Sequence, residues 1–149
     1  IPVKLDGDQV MERKVFLAGE ERVISCVSMG NPHVVMFVED VDRIPMEQVG
    51  PQIEQASIFP QRVNVSFAQV IDRNSIKMRV WERGIGETAA CGTGACAVAV
   101  AAVETGLCGR DADIDLRLPG GILVVRYEQD GRVWLTGDAV TDFEGTIQI

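Results

Sequence analysis

The sequence predicts an α+β fold in which a curved, mostly antiparallel, barrel-like sheet wraps around one central apolar helix. Three observations point to this class. Most segments with a regular hydrophobic pattern are short, rich in β-branched residues and bounded by turn residues, as strands are. Only two segments have the pattern of a helix, and one of them, 95–104, is apolar on every side. Such a helix must be enclosed, which favours a surrounding sheet over a doubly wound parallel one.

The predicted strands follow one another along the chain. They cover residues 21–28, 33–38, 63–67, 75–81, 114–118, 122–127 and 133–136. The clearest is 75–81, because its apolar and polar residues alternate strictly, as in a half-buried strand. It is preceded by a turn, Asp72-Arg73-Asn74, which predicts a hairpin with the strand before it. Later turns are expected at Pro119-Gly120-Gly121 and Gln129-Asp130-Gly131.

Two helices are predicted. The first covers residues 45–56, with a break expected at Gly50-Pro51, because proline removes a hydrogen bond inside a helix. The second begins near Thr93-Gly94 and ends near Thr105-Gly106. Its residues are almost all small and apolar, so the surrounding backbone can approach it closely.

Composition excludes several classes of protein. The chain has 149 residues, of which 46% are hydrophobic, and this matches one globular domain. A net charge of −8 argues against nucleic acid as a partner, because a phosphate backbone is bound by a basic surface. The apolar runs are shorter than the roughly 20 residues of a membrane-spanning helix, so no membrane partner is expected. The chain begins with neither a signal peptide nor a methionine, and we expect it to be a fragment of a longer protein.

The cysteines and the single histidine predict reduced thiols and no metal. Cys26, Cys91, Cys96 and Cys108 lack the ligand spacing of a structural zinc site, and the chain is not cysteine-dense. We therefore expect a cytoplasmic protein. Cys26, Cys96 and Cys108 are interpreted as structural residues.

The segment 81–97 contains the most informative motif. It runs from the end of a strand into the apolar helix, and Cys91-Gly92-Thr93-Gly94 falls at the helix start. The first N–H groups of a helix are unpaired and carry partial positive charge, which suits a carboxylate or phosphate. A cysteine at this position has its thiolate stabilised, so we expect a lowered pKa for Cys91. The motif predicts a reactive sulfur beside an anion-binding site.

Two phosphate-binding motifs are alternatives for this segment. A P-loop is excluded because the segment has no Gly-Lys-Ser/Thr. The residues from Gly84 to Ala89 match a dinucleotide fingerprint, but the helix that should follow would run through Gly92-Thr93-Gly94.

The candidate site residues also have purely structural interpretations, which stay open. Cys91 could be an inert buried cysteine. His33, the single histidine, could be a structural residue whose hydrogen-bonding groups are satisfied within the fold. Glu82 and Arg83 could form a solvated ion pair, and Asn64 could be an exposed strand residue.

Three motifs resemble the diaminopimelate epimerase family. They are Gly30-Asn31-Pro32-His33, Arg62-Val63-Asn64-Val65, and Glu82-Arg83-Gly84-x-Gly86-Glu87-Thr88-x-Ala90-Cys91-Gly92-Thr93-Gly94. The run Phe143-Glu144-Gly145 also resembles the last strand of that family. The resemblance covers essentially the whole chain, as the C-terminal half of such an enzyme. The related proline racemases share a cysteine before Gly-Thr-Gly but have an aspartate upstream of it instead of the Glu-Arg-Gly-x-Gly-Glu-Thr run.

The resemblance implies an isomerase that converts LL- to meso-diaminopimelate, in lysine and cell-wall biosynthesis, without pyridoxal phosphate or metal. In this family two cysteines exchange the α-proton from opposite faces of the substrate, and Cys91 resembles one of them. Glu82 and His33 resemble the groups that assist the two sulfurs, and Glu82 also lies near the substrate ammonium. The N–H groups of Gly92 and Thr93 are expected to hold the reacting carboxylate. A further set, expected to bind the distal end of the substrate, consists of Asn31, Asn64 and Arg83.

The chain departs from the family in one respect. The second cysteine of the family lies in a homologous N-terminal domain, within a Cys-Gly-Asn-Gly motif that this sequence lacks. We therefore expect residues 1–149 to be the C-terminal domain of a two-domain epimerase, with half an active site and no activity alone. The last strand, about 140–149, is expected to belong with the N-terminal domain. Family members commonly form dimers, so a homodimer is a further expected partner.

Three alternatives to this interpretation stay open. One is a racemase or epimerase of another amino acid. Another is a domain of the same fold that binds an anion or an amino acid without chemistry. The last is a purely structural domain whose glycines serve turns alone.

Overall fold

The computed structural model describes residues 1–141 and 143–148. In this part of the chain two α-helices and a short 3-10 helix (Val41–Arg43) accompany one mixed sheet. The strands are β1 (Arg13–Leu17), β2 (Glu20–Ser28), β3 (Pro32–Phe37), β4 (Asn64–Asp72), β5 (Ser75–Glu82), β6 (Gly86–Thr88), β7 (Asp113–Leu118), β8 (Gly121–Tyr127) and β9 (Val133–Thr136). The helices are α1 (Met46–Glu54) and α2 (Gly92–Glu104). The predicted α+β class is confirmed.

The sheet is mostly antiparallel, as predicted. Its strand order is β1-β2-β3-β4-β5-β7-β8-β9, and β6 pairs with the end of β5. The predicted hairpin at Asp72-Arg73-Asn74 is present, because β4 and β5 pair antiparallel with Asp72 opposite Ser75. Among the described residues the pairing ends at β1 and β9, so this sheet is open and the barrel-like closure stays a prediction.

Two parallel strand pairs, β3 with β4 and β5 with β7, interrupt the antiparallel order. Parallel strands need a long crossover connection, and each crossover here contains one of the helices. The connection from β3 to β4 contains α1, and the one from β5 to β7 contains β6 and α2. Helix α2 therefore begins directly after β6, beside the end of β5.

The two helices pack on separate hydrophobic clusters. On β3, Val34 and Met36 join the cluster around α1, whereas Val35 joins the cluster around α2. Because successive side chains of a strand point to opposite faces, the helices lie on opposite faces of the sheet. Helix α2 contacts strands from both halves of the sheet, and its buried residues run from Gly94 to Ala102 with only Val100 partly exposed. The prediction of a buried apolar helix is confirmed.

The break predicted in the first helix is wrong. Helix α1 runs through Pro51 without interruption, because one missing hydrogen bond is offset by packing on both sides of the proline. Ile53 is fully buried, and Gly50 lies so close to the indole of Trp81 that an added Cβ would be 2.6 Å from Cδ2.

Strands β1 and β6 were not predicted. The three residues of β6 include a glycine and carry no recognisable period. Its pairing with β5 comes from tertiary contacts, among them a two-pronged ion pair in which Arg79 of β5 donates to Glu87 of β6 at 2.7 and 3.0 Å.

The C-terminal segment contains no strand in residues 137–141 and 143–148. Its large apolar side chains, Val140, Phe143 and Ile147, are each more than four-fifths exposed. Asp142 and Ile149 lie outside the described residues, so the prediction for 140–149 is examined only in part and stays a prediction. In the part of the chain that the structure covers, neither helix has the length and hydropathy to cross a membrane.

Candidate active site

Cys91 is the N-terminal cap of α2. Its backbone is extended, with φ −146° and ψ 106°, and its sulfur accepts a hydrogen bond from the N–H of Gly94 at 3.4 Å. Its carbonyl accepts from the N–H of Ala95 at 2.9 Å. A Cβ added to Gly94 would lie 3.2 Å from this sulfur, so a larger residue here would push the Cys91 side chain by a few tenths of an ångström. The sequence therefore places a sulfur where most helices carry a Ser, Thr or Asp oxygen.

The helix start also leaves two donors uncommitted. Within the described residues the N–H groups of Gly92 and Thr93 have no hydrogen-bond partner. Thr93 is exposed and Gly92 half-buried, so both groups can reach a ligand from solvent. Together with the helix dipole they form the anion-binding geometry that the motif predicts.

The pKa of Cys91 differs from the sequence-based expectation. Burial raises the pKa of this thiol above its usual value, and the negative charge of Glu82 acts in the same direction. Hydrogen bonds from Thr93 and Gly94 lower it, as a helix start should, but they do not cancel the effect of burial. The expectation of a lowered pKa is therefore wrong for this chain, because the Cys91 residue is only 7% exposed.

Glu82 ends β5 and lies near both Cys91 and His33. Its charge acts on the pKa of the thiol and of the imidazole. Its carboxylate accepts a 2.6 Å hydrogen bond from the hydroxyl of Thr88 on β6. The short strand β6 thus holds the Glu82 carboxylate in place. Arg83 makes no ion pair with Glu82 among the described residues, so that alternative is wrong.

His33 is fully buried at the start of β3. Its Nε2 lies 3.0 Å from Oδ1 of Asn31, and its Nδ1 has no hydrogen-bond partner in the described part of the chain. Burial lowers the pKa of His33 to about 4, although the charge of Glu82 raises it. The imidazole is therefore neutral near pH 7. Because Asn31 Oδ1 can only accept, the single ring proton lies on Nε2.

Asn31 connects His33 to the helix start. Its Nδ2 donates to the hydroxyl of Thr93 at 3.2 Å, across 62 positions of sequence. That hydroxyl lies 3.7 Å from the sulfur of Cys91. The turn before β3 and the start of α2 are thus joined by side chains that the motifs predicted as one site.

Asn64 is buried, so the alternative of an exposed strand residue is wrong. Its Nδ2 donates to the carbonyl of Pro32 at 2.9 Å, and its Oδ1 accepts from the backbone N–H of Arg83 at 3.0 Å. Asn64 therefore ties the turn that carries His33 to the turn that follows Glu82. The guanidinium of Arg83 is exposed and donates to the carbonyl of Gln61 at 2.9 Å.

Sequence reasoning missed Glu54. This carboxylate is 3% exposed and accepts from Trp81 Nε1 at 2.8 Å and from the N–H of Gly84 at 2.9 Å. It also pairs with the half-exposed Arg62 at 3.0 Å. Trp81 and Gly84 flank Glu82 and Arg83 in the sequence. The hydrogen bonds of Glu54 therefore anchor the turn after β5 to α1. A signal existed, since a glutamate four residues after Gly50 lies on the face of α1 that packs against the sheet.

Cys96 lies near this cluster, because burial and then the charge of Cys91 raise its pKa. The interpretation of Cys26, Cys96 and Cys108 as structural residues stays a prediction. All four cysteines are free thiols. Cys96 is buried within α2, Cys108 is buried after it, and Cys26 is half-buried on β2, where burial raises its pKa to about 11. In the described residues no group of three or more His, Cys, Asp or Glu side chains is arranged to hold a metal ion.

The fold and the site define a domain in which a buried thiol, a half-buried carboxylate and two N–H groups without a partner among the described residues lie together at the start of α2. Residues 25–141 match the family described as diaminopimelate epimerase. The chain is 48% identical over 150 residues to a diaminopimelate epimerase from Acetivibrio thermocellus, covering 100% of this chain and 53% of that protein. It is 50% identical over 144 residues to one from Microcystis aeruginosa, covering 96% of this chain and 50% of that protein.

The chain therefore belongs to the diaminopimelate epimerase family, and the predicted resemblance is confirmed. It spans about half the length of these relatives. Among solved structures, it is similar to a phenazine biosynthesis protein of the PhzF family from Bacillus anthracis, with a TM-score of 0.50 and 21% identity. That match covers 75% of this chain and 37% of the other, and it supports the fold alone.

Proposed function

We propose that residues 1–149 form the C-terminal domain of a diaminopimelate epimerase and supply one half of its active site. The observation that carries this proposal is the sulfur of Cys91, which caps α2 beside the free N–H groups of Gly92 and Thr93. The exposure of Thr93 and Arg83 supports a second domain that covers this side of the site. The four free thiols favour a reducing compartment, the cytoplasm.

The proposed reaction is an inversion at the α-carbon by two sulfurs. One thiolate removes the α-proton, so an S–H bond forms as the C–H bond breaks, and its electron pair delocalises into the carboxylate. The thiol on the opposite face then gives its proton to carbon and becomes the thiolate. Burial raises the pKa of Cys91, so in its resting state this sulfur fits the role of proton donor. The second sulfur belongs to the N-terminal domain.

The N–H groups of Gly92 and Thr93 have the role of stabilising the carbanion. Charge builds up on the substrate carboxylate as the proton leaves, and two fixed donors at a helix start bind that charge best when it is largest. These donors cost little reorganisation, because α2 is already buried along its length.

Glu82 and His33 have different roles in this proposal. Glu82 is a carboxylate held by Thr88, and it attracts the substrate ammonium while favouring the thiol form of Cys91. His33 is neutral and fully buried, so it acts through its hydrogen bond to Asn31 rather than through charge.

The distal end of the substrate is assigned to Arg83, Asn31 and Asn64. The guanidinium of Arg83 has a single hydrogen bond to the carbonyl of Gln61 among the described residues, which leaves donors for a two-pronged bond to a carboxylate. Asn64 uses both of its polar atoms on backbone groups, so its main part is to hold the Arg83 turn. Asn31 is held beside the helix start by its hydrogen bonds to His33 and Thr93.

The proposal also covers the ends of the chain and of the sheet. Val140, Phe143 and Ile147 are exposed apolar residues in a segment without a strand among the described residues. Segment 140–149 is assigned to pair with the N-terminal domain, where the sheet would complete its barrel-like closure around α2. A homodimer of the two-domain protein is part of the same proposal.

The test compares the 149-residue chain alone with the longer two-domain protein that the proposal requires. Each is incubated with LL-diaminopimelate in D₂O, and product is measured by chiral chromatography and by deuterium at the α-carbon. The longer protein is expected to form deuterated meso-diaminopimelate, and the chain alone none. Turnover by the chain alone would contradict the half-site. Inversion of proline or another amino acid but not of diaminopimelate would contradict the substrate. Binding without exchange would favour the non-catalytic alternative.

A further inference from the structure

A continuous line of hydrogen bonds runs from the buried core to the sulfur of Cys91. His33 Nε2 lies 3.0 Å from Asn31 Oδ1, and Asn31 Nδ2 lies 3.2 Å from the hydroxyl of Thr93. That hydroxyl lies 3.7 Å from the sulfur. The three residues that lead to the sulfur come from two parts of the chain: Asn31 and His33 from the turn before β3 and its first residues, and Thr93 from the first turn of α2.

The first two hydrogen bonds in this line, from His33 to Asn31 and from Asn31 to Thr93, have a defined direction. The imidazole proton is donated to Asn31 Oδ1, and this fixes the amide so that its nitrogen donates to Thr93. The hydroxyl of Thr93 therefore has one lone pair occupied by Asn31. Its proton and its second lone pair remain available to the sulfur 3.7 Å away.

The three polar neighbours of the sulfur differ in what they can stabilise. The N–H of Gly94 can only donate, so it favours the thiolate. The carboxylate of Glu82 can only accept, and its charge favours the thiol. The Thr93 hydroxyl can accept a hydrogen bond from the thiol or donate one to the thiolate, so it suits both states of a sulfur that alternates between them.

We propose that the side chain of Thr93 is a positioning residue for Cys91, and that His33 and Asn31 act through it by fixing the orientation of its hydroxyl. This inference rests on the proposed function in one respect, since it takes Cys91 as the sulfur that exchanges protons. It gives the Thr93 side chain a role separate from that of its backbone N–H. It also gives His33 and Asn31 a common role that substrate contact alone would not require.

The hydroxyl of Thr93 is not needed to build the helix. Among the described residues it makes no bond to the backbone of α2, and Cys91 already caps the first turn. Thr105, at the other end of the same helix, is different, because its hydroxyl donates to the carbonyl of Ala101 at 2.8 Å. Thr105→Val is a matched control, because it also removes a threonine hydroxyl from the end of α2, but at the end opposite to the sulfur of Cys91.

The experiment measures the rate at which iodoacetamide alkylates Cys91 in the 149-residue chain between pH 7 and pH 10. Peptide mass spectrometry separates Cys91 from the other cysteines, and circular dichroism verifies the fold of each variant. Thr93→Val removes the hydroxyl while keeping the shape of the side chain. It is expected to slow alkylation at a given pH by about tenfold and to move the profile to higher pH, because a hydrogen bond to the thiolate is lost.

Three further variants sharpen the result. Thr93→Ser keeps the hydroxyl and is expected to restore the wild-type profile. Asn31→Leu leaves the hydroxyl without its orienting donor and is expected to slow alkylation less than Thr93→Val does. Thr105→Val should leave the Cys91 profile unchanged.

A folded Thr93→Val protein with the wild-type profile would overturn the inference, and so would equal slowing by Thr105→Val. Thr93→Ala provides a second hydroxyl-free variant if Thr93→Val does not fold. Because alkylation needs neither diaminopimelate nor a second domain, this test is separate from that of the proposed function. A normal Thr93→Val profile overturns the inference even if the longer protein is an active epimerase. A shifted profile supports the Thr93 contact even if the longer protein is not an active epimerase.

Discussion

Both ends of α2 contain cysteine, threonine and glycine. The two ends differ in how their backbone groups are hydrogen-bonded. At the C-terminal end the helix carbonyls are satisfied by the chain itself. The hydroxyl and the N–H of Thr105 both donate to Ala101, at 2.8 and 3.0 Å. The N–H groups of Leu107 and Cys108 donate to Ala102 at 2.8 and 3.1 Å. Among the described residues, three of the last four helix carbonyls accept from the backbone that follows, so this end is largely closed by the chain itself.

At the N-terminal end the donors remain open. Gly92 and Thr93 have uncommitted N–H groups in the described part of the chain, and the capping atom is the sulfur of Cys91. Burial raises the pKa of Cys91 and of Cys108 alike. Burial therefore does not distinguish Cys91, the proposed catalytic thiol, from Cys108. The uncommitted donors beside the thiol do.

The largest expected effect comes from exchanging the two cysteines for alanine in the longer two-domain protein. Cys91→Ala removes the sulfur that we propose exchanges the α-proton, and turnover of diaminopimelate is expected to fall by about a thousandfold. Cys108→Ala removes a buried side chain and should lower the free energy of unfolding by about 1 kcal/mol while turnover stays close to wild type. Initial rates and urea unfolding measure the two effects. Equal loss of turnover in both variants would break the distinction between the two ends.

Sequence reasoning predicted the N-terminal end of α2 because its signals are local. A cysteine followed by Gly-Thr-Gly, directly before an apolar run, indicates a helix start without any knowledge of the rest of the fold. Most strands were predicted for the same reason, since alternation and turn residues are read within a few positions. The family motifs then linked this segment to His33 and Asn64, which are distant in sequence.

The parts that could not be predicted depend on what packs against what. The raised pKa of Cys91 comes from burial by strands that lie elsewhere in the chain, and a helix-start argument omits that cost. The anchoring role of Glu54 requires knowing that Trp81 and Gly84 lie against α1. The parallel pairing of β5 with β7 follows from the crossover through α2, and no pattern within either strand specifies it.

His33 allows the N-terminal end to be tested by pH. Its pKa is lowered from 6.5 to about 4 in the folded chain because the imidazole is buried. The unfolded chain therefore takes up a proton between pH 6.5 and 4, whereas the folded chain does not. The contribution to stability is complete above pH 6.5 and is lost as the pH falls toward 4, by about 3 kcal/mol in total.

His33→Gln should remove this slope, because glutamine does not titrate but can still donate to Asn31. Urea unfolding at several pH values measures it, and the difference between wild type and variant isolates the single histidine from the acidic residues. A wild-type slope that persists unchanged in His33→Gln would mean that the imidazole is not held neutral beside the site.

The smallest expected effects come from the glycines near the two ends of the helix. Gly106 has a φ of +77° and nothing within 4 Å of an added Cβ, so Gly106→Ala should lower the free energy of unfolding by about 1 kcal/mol through backbone strain alone. Gly94→Ala places a Cβ 3.2 Å from the sulfur of Cys91 and forces that side chain off its rotamer. Displacement of this kind costs about 1 kcal/mol, so Cys91 alkylation should change by about fivefold.

Both glycine variants are compared in the 149-residue chain by urea unfolding and by the rate of iodoacetamide labelling. Gly106→Ala should alter stability without altering the labelling of Cys91, and Gly94→Ala should alter the labelling. If Gly106→Ala changed the labelling of Cys91 as much as Gly94→Ala does, strain at the closed end would be transmitted along α2 to the sulfur. The two ends of α2 would then act as one rigid unit. The N-terminal end, with the uncommitted N–H groups of Gly92 and Thr93, would not be independent of the C-terminal end.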